Sequence, residues 1–184
     1  MIYFSSDWHL GHENVIQFDS RPFATIQEHD KHILAQVNAT CGINDDLYFL
    51  GDFTKSKKKE IIHAYLSRIH CRIHFVFGNH DDDIRKFLKQ FPELVTSFQD
   101  AAYIKYQKQK IYLHHYSCRT WRSSQYGSWH LYGHSHGKLE NRPHGKSMDV
   151  AVHLHEYKPI SFDQVKAIMD ARELVCLDHT IRIP

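Results

Sequence analysis

The chain is sparing with cysteine. Its 184 residues hold four, Cys41, Cys71, Cys118 and Cys176. They are widely spaced and form no C-x-x-C pair, so neither a disulfide framework nor a thiolate metal site is indicated. Glycine and proline are scarce as well, at 8 and 5, and nowhere gather into a linker; the chain reads as one domain, residues 1–184. No apolar run approaches the roughly 18 residues that a membrane span needs, and the start, MIYFSSDWH, lacks the basic and long apolar regions of a secretory leader. A cytoplasmic protein without a membrane partner is expected. Charge of one sign is also missing: 23 Lys and Arg against 21 Asp and Glu leave +2, which makes no broad electrostatic case for nucleic acid or a membrane surface.

What stands out instead is histidine, with 17 copies, and where they fall matters more than their number. Short apolar, β-rich runs end in polar clusters at five places: IYFSSDWH (2–9), LYFLGDF (47–53), IHFVFGNHD (73–81), IYLHHY (111–116) and WHLYGHSH (129–136). Each predicts a buried strand followed by a site loop. Helical faces lie between the first three: Ile26, Ile33, Leu34 and Val37; Ile61, Ile62, Tyr65, Leu66 and Ile69; Ile84, Phe87, Leu88 and Phe91. Strand, helix, strand in that order predicts an α/β core with crossover connections. After Pro92 the pattern AAYIKY, a QKQ turn and KIYLHHY predicts a hairpin, so part of the sheet is antiparallel. A strand at MDVAVHL (148–154), a helix from Ser161 to Asp170 started by Pro159 and Ser161, and a last strand in LVCLDHTIRI complete the expectation.

Ligands of open sheets bind at the carboxyl ends of strands, where loops converge. The polar clusters deliver Asp7, His9, Asp52, Asn79, His80, His115, His134 and His136 to such ends. Carboxylate, imidazole and amide donors without thiolates suit Mn, Fe, Zn or Ni. Seven of them can hold two divalent ions, and two cations about 3.5–4 Å apart need an anionic bridge, for which Asp52 is the candidate. Asp7 with His9, and His134 with His136, are spaced to put alternate side chains on one side of an extended segment.

The blocks Asp7-Trp8-His9, Gly51-Asp52, Gly78-Asn79-His80-Asp81, His115 and Gly133-His134-Ser135-His136, in that order, resemble the five signature blocks of calcineurin-like metallophosphoesterases. DWHLGHENVIQFDSRPF and HYSCRTW…GSWHLYGHSHG are similar to a compact bacterial and phage branch of that superfamily. Two positions depart from many relatives: Ser117 stands where Pro follows the His-Tyr pair, and Ala151-Val152-His153 stands for Gly-Val-Asp. The resemblance implies an α/β, mixed-sheet αββα sandwich, compact and without a cap. It implies that Asp7, His9 and His136 bind one metal and Asn79, His115 and His134 another, with Asp52 between them. His115 is preferred to His114, as the His of the family's His-Tyr pair. His80 would assist the leaving group, with Asp81 orienting its ring.

The implied activity is phosphoester hydrolysis by a metal-bridging hydroxide. Short connecting loops leave the site open, which favours small phosphodiesters. A nuclease and a non-catalytic scaffold on the same fold are the alternatives. His12, Asn14 and Arg21 recur in the resembling branch and are candidate substrate contacts, although Arg21 could equally pair with Asp19 or Asp30. Asp82 and Asp83 read as helix-start residues, and Lys55 to Lys59 as a solvated helix start more than a polyanion contact. Trp121, Tyr126 and Trp129 could stack on a base or support their loop.

Overall fold

A computed structural model describes residues 1–140 and 144–175. Among the described residues, nine strands form two sheets. In the first, β1 (Ile2–Ser5), β2 (Asp46–Phe49), β3 (Arg72–Val76) and β4 (Ser97–Gln99) run parallel, and β9 (Ile160–Ser161) joins β1 antiparallel at the edge. In the second, β5 (Ala101–Tyr106) pairs antiparallel with β6 (Gln109–His114), which continues in parallel to β7 (Trp129–Tyr132) and β8 (Ser147–Asp149). This is the expected mixed α/β architecture with two mixed sheets.

Alternation along each strand serves two cores. Leu47, Phe49, Ile73 and Phe75 pack with Ile33, Leu34 and Val37 of α2 (Ile26–Thr40), Ile62 and Leu66 of α3 (Lys59–Leu66) and Ile84 and Phe87 of α4 (Asp82–Leu88). Phe4, Leu50 and Val76 instead meet Ile111, Leu113, Leu131 and Met148 of the second sheet. The first sheet is therefore buried on both faces, as parallel strands are. Here α5 (Phe162–Asp170) adds Phe162, Val165 and Met169, with the Phe162 ring stacked on Trp129 at 5.4 Å.

Local signals set the element ends. Thr25 caps α2 by accepting from Glu28 N, and Ser161 and Gln164 form a reciprocal capping box on α5. Asp82 and Asp83 occupy the first turn of α4, where the helix dipole favours them. The β5–β6 turn is shorter than QKQ. Only Gln107 and Lys108 make it, at φ 45° and 69°, both left-handed, as a two-residue hairpin matching strand twist requires.

One expectation needs correction: the strand expected over 148–154 stops at Asp149, and Val152–His155 forms a 3-10 turn. A short helix, α1 (Asn14–Phe18), was not anticipated. β4 and β9, at three and two residues, are too short to leave a periodic trace. The expected strand in LVCLDHTIRI lies, beyond Val175, outside the described residues. Cys41, Cys71 and Cys118 are free. Among the described residues no helix is long and apolar enough to cross a membrane.

Candidate metal centre

The loops after β1, β2, β3, β6 and β7 meet at one end of the two sheets, and their backbones are unusual. Asp7, His9, Asp52, His134 and His136 have φ of 56°, 51°, 60°, 64° and 48°. Positive φ is uncommon for non-glycine residues and costs of order 1–3 kcal/mol each. The expectation that Asp7 with His9 and His134 with His136 use strand alternation is therefore corrected: β1 ends at Ser5 and β7 at Tyr132, and left-handed turns bring each pair together.

Crowding explains the glycines. A Cβ on Gly51 would lie 2.5 Å from Gly78 N and 2.6 Å from His115 Nδ1. One on Gly78 would collide with the Asp52 carboxylate, and one on Gly133 with that of Asp7. Gly78 thus serves close approach between loops.

Two clusters share Asp7. In one, His9 Nε2 and His136 Nε2 are 3.3 Å apart, and Asp7 Oδ1 lies 3.9 and 3.5 Å from them. In the other, Asp7, Asp52 and His115 bring their donor atoms within 4.8 Å of one another. Asp52 spans the two: its Oδ2 is 3.6 Å from His9 Nε2 and its Oδ1 is 3.6 Å from His115 Nε2. Asn79 Oδ1 stands 2.9 Å from both His115 Nε2 and His134 Nδ1.

The donor chemistry fits a cation. His115 is buried, with Nδ1 2.7 Å from the Leu50 carbonyl, so that nitrogen carries hydrogen and Nε2 presents a lone pair. That lone pair faces Asn79 Oδ1, another acceptor. A cation held by both would satisfy the two acceptors. His114 turns away to the Tyr116 carbonyl.

The first cluster is fixed from behind. Asp7 is fully buried and accepts from Ser6 Oγ at 2.6 Å and from His134 N at 3.1 Å. Burial raises its pKa, but hydrogen bonding to His136 and the charges of His115, His136 and His9 outweigh this and lower it to about 2. Burial lowers His9 to about 3. His136 moves the other way: burial opposes its charge, yet hydrogen bonds to Asp19 and Asp7 raise it to about 10.

His80 is exposed, its ring 5.8 Å from that of His9, with its backbone N donating to Asp52 Oδ1 at 3.0 Å. Its Nδ1 lies 2.8 Å from Lys55 Nζ. Asp81 occupies a different place from the one expected. It is buried, and its carboxylate accepts from Gly78 N, Asp52 N and Phe53 N at 2.7, 2.7 and 3.0 Å. It ties the second and third loops together, and Lys55 takes the place beside His80.

The candidate substrate contacts separate. Arg21 is buried and bonded to Asp19, His29 and the carbonyls of Asp7 and Trp8, which makes it a support for the first loop and corrects the substrate role. Asn14 is exposed on α1. His12 is half-buried, its ring 5.7 Å from that of His9. Trp121 and Trp129 are buried and support their loop, Trp121 Nε1 donating to Ser128 O, while Tyr126 is exposed. His153, at the position departing from Gly-Val-Asp, places its ring 5.4 Å from His136. Sequence reasoning missed Asp19 and Lys55 as site neighbours. It also missed Asp149, which braces the His134–His136 loop by accepting from Gly137 N and Ala151 N.

The calcineurin-like phosphoesterase family matches residues 1–178. An uncharacterized protein of Methanocaldococcus jannaschii, MJ1445, is 29% identical over 180 residues, covering 95% of this chain and 94% of the relative. The gene 66 protein of Mycobacterium phage L5 is 32% identical over 82 residues, 43% of this chain and 39% of its own. Among solved structures, a protein of unknown function from Aquifex aeolicus, AQ665, superposes with a TM-score of 0.69 at 25% identity, covering 91% of this chain and 98% of the other.

Proposed function

The chain belongs to the calcineurin-like phosphoesterases, a family of metal-dependent phosphoesterases, and from that premise we propose that it hydrolyses small phosphodiesters with two divalent cations, manganese favoured. The observation that carries the two-ion reading is Asp52, whose two oxygens face one histidine from each cluster at 3.6 Å. A carboxylate so placed offsets the repulsion between cations about 3.5–4 Å apart. Asp7, His9 and His136 would hold one ion, and Asn79, His115 and His134 the other. Nitrogen and oxygen donors without thiolates favour manganese or iron over softer partners.

When bound, the cations supply Lewis acidity toward the phosphoryl oxygens and toward water. The side chains do the rest. Lys55 can only donate, so His80 Nδ1 accepts and the ring's hydrogen sits on Nε2, free to go to the departing alkoxide. Asp52 anchors the His80 backbone, so acid and bridge move as one unit. Asp81, through its three amides, holds the Asp52 and Asn79 loops at a fixed spacing.

Preference for a diester is supported by exposure. Asn79, His80 and His134 face solvent, and the 117–128 loop is tied to itself around the buried Trp121, through Trp121 Nε1 to Ser128 O and Ser128 Oγ to Arg122 O. The second substituent of a diester can leave such a site freely. The test is turnover of bis(p-nitrophenyl) phosphate and p-nitrophenyl phosphate by manganese-loaded protein. The expected result is a higher kcat/KM for the diester, abolished by chelation. A monoester preferred by a wide margin would overturn the diester reading, and no turnover of either would overturn catalysis.

A further inference from the structure

We propose that Asp19 is a positioning residue for His136: it accepts the Nδ1–H of that ring and thereby aims the Nε2 lone pair at the point shared with His9 and Asp7. The inference rests on the reading of His136 as a metal ligand. Asp19 Oδ2 lies 2.7 Å from His136 Nδ1, and the pair comes from loops 117 residues apart in sequence.

Asp19 is itself held. Arg21 donates to its Oδ2 from Nη2 at 2.8 Å and from Nε at 3.1 Å. The same guanidinium reaches Asp7 O at 2.9 Å, Trp8 O at 3.1 Å and His29 Nε2 at 2.8 Å. His29 Nδ1 is 2.9 Å from Asp30 Oδ1, and Asp30 Oδ2 accepts from Gly11 N at 2.9 Å and Tyr65 Oη at 2.7 Å. An unbroken chain of hydrogen bonds therefore runs from His136 through Asp19 and Arg21 to α2 and α3. It passes behind the left-handed turn that carries Asp7 and His9, so one network sets three donors at once.

The other cluster is built differently. His115 Nδ1 is backed by the neutral carbonyl of Leu50, and His136 by a carboxylate. A carboxylate behind a ligating imidazole fixes its tautomer and raises its basicity, and removing such a partner typically costs 10- to 100-fold in metal affinity. Asp19, His136 and His153 could also be read as a third cation site, since their donor atoms fall within 4.8 Å. The Arg21 guanidinium bound to the same Asp19 oxygen argues against that by direct repulsion.

The experiment is manganese titration of the full chain against a chelator of known affinity, for wild type and Asp19→Asn. The expected result is a 10- to 100-fold weakening of one of two binding steps, the other unchanged. In parallel, 15N-detected NMR of the zinc-loaded wild-type chain reads the His136 tautomer directly. Nδ1 protonated and slow to exchange is expected, and an Nε2-protonated ring would overturn the role even if the variant fails to fold. Equal weakening of both steps, or none, would overturn it as well. A wild-type chain that takes up no manganese or zinc would instead sink the two-ion reading itself.

Discussion

The two halves of the centre are made to different standards. Asp7 and His9 are buried, and His136 is braced by Asp19. Across Asp52, only His115 is buried, while Asn79 and His134 are exposed. Burial and bracing lower the entropy lost when a donor takes up an ion, so on the proposed two-ion reading the Asp7 half would be prepared before binding and the Asn79 half completed by it. The exposed half includes Asn79, the chain neighbour of His80, whose ring lies 5.8 Å from that of His9; under the proposed function substrate would enter and product leave on this open side. On that reading rigidity falls where an ion would stay, and access where groups would exchange.

The largest break in this comparison would come from Asp52, which belongs to both halves. Asp52→Asn should weaken both ions and lower turnover by about 10³-fold or more, since it removes charge between two cations; elemental analysis alongside kinetics checks this, and full loading with full activity would contradict the bridge. Next comes His80→Ala. It should keep both ions and lose about 10²–10⁴-fold on esters with poor leaving groups, and less on aryl esters. Equal losses for both ester types would remove the acid role.

Sharpening the comparison needs a change confined to the open half. His134→Ala should weaken one ion by about 10- to 100-fold, with activity restored by excess manganese, whereas His9→Ala should not be rescued at the same concentration. The pH dependence of metal-free protein probes the buried half by a smaller effect. The folded pKa of His136 is raised from 6.5 to about 10, so its stabilisation is complete below pH 6.5 and is lost as pH rises through 10. That of Asp7 is lowered from 3.8 to about 2, so its share is complete above pH 3.8 and is lost as pH falls through 2. Melting temperature against pH should therefore decline toward the alkaline side in metal-free protein, and Asp19→Asn should flatten that decline.

Both halves were legible in sequence to the same extent. Asp7 and His9, Asn79, His115, and His134 with His136 all sit just past apolar runs expected to be strands, so the convergence of their loops followed from α/β topology. What could not be read was the means. Left-handed φ at Asp7 or His134 leaves no compositional mark when the residue is not glycine. Asp81 was expected beside the ring of His80 because the family resemblance implied it; the amides of Asp52 and Phe53, distant in the chain, claim its carboxylate instead. Arg21 in SRPF could equally have contacted substrate or paired with Asp19. Only the position of Asp7 O and Trp8 O around its guanidinium decides for support, and that depends on tertiary geometry.

The most direct measurement is a stepwise manganese titration of the metal-free chain, followed by electron paramagnetic resonance to register spin coupling between neighbouring ions. The account predicts a first ion that gives an uncoupled signal and a second, weaker ion that couples to it through Asp52, with Asn79→Ala removing only the second step. A single ion per chain at saturation, or two uncoupled ions, would contradict it.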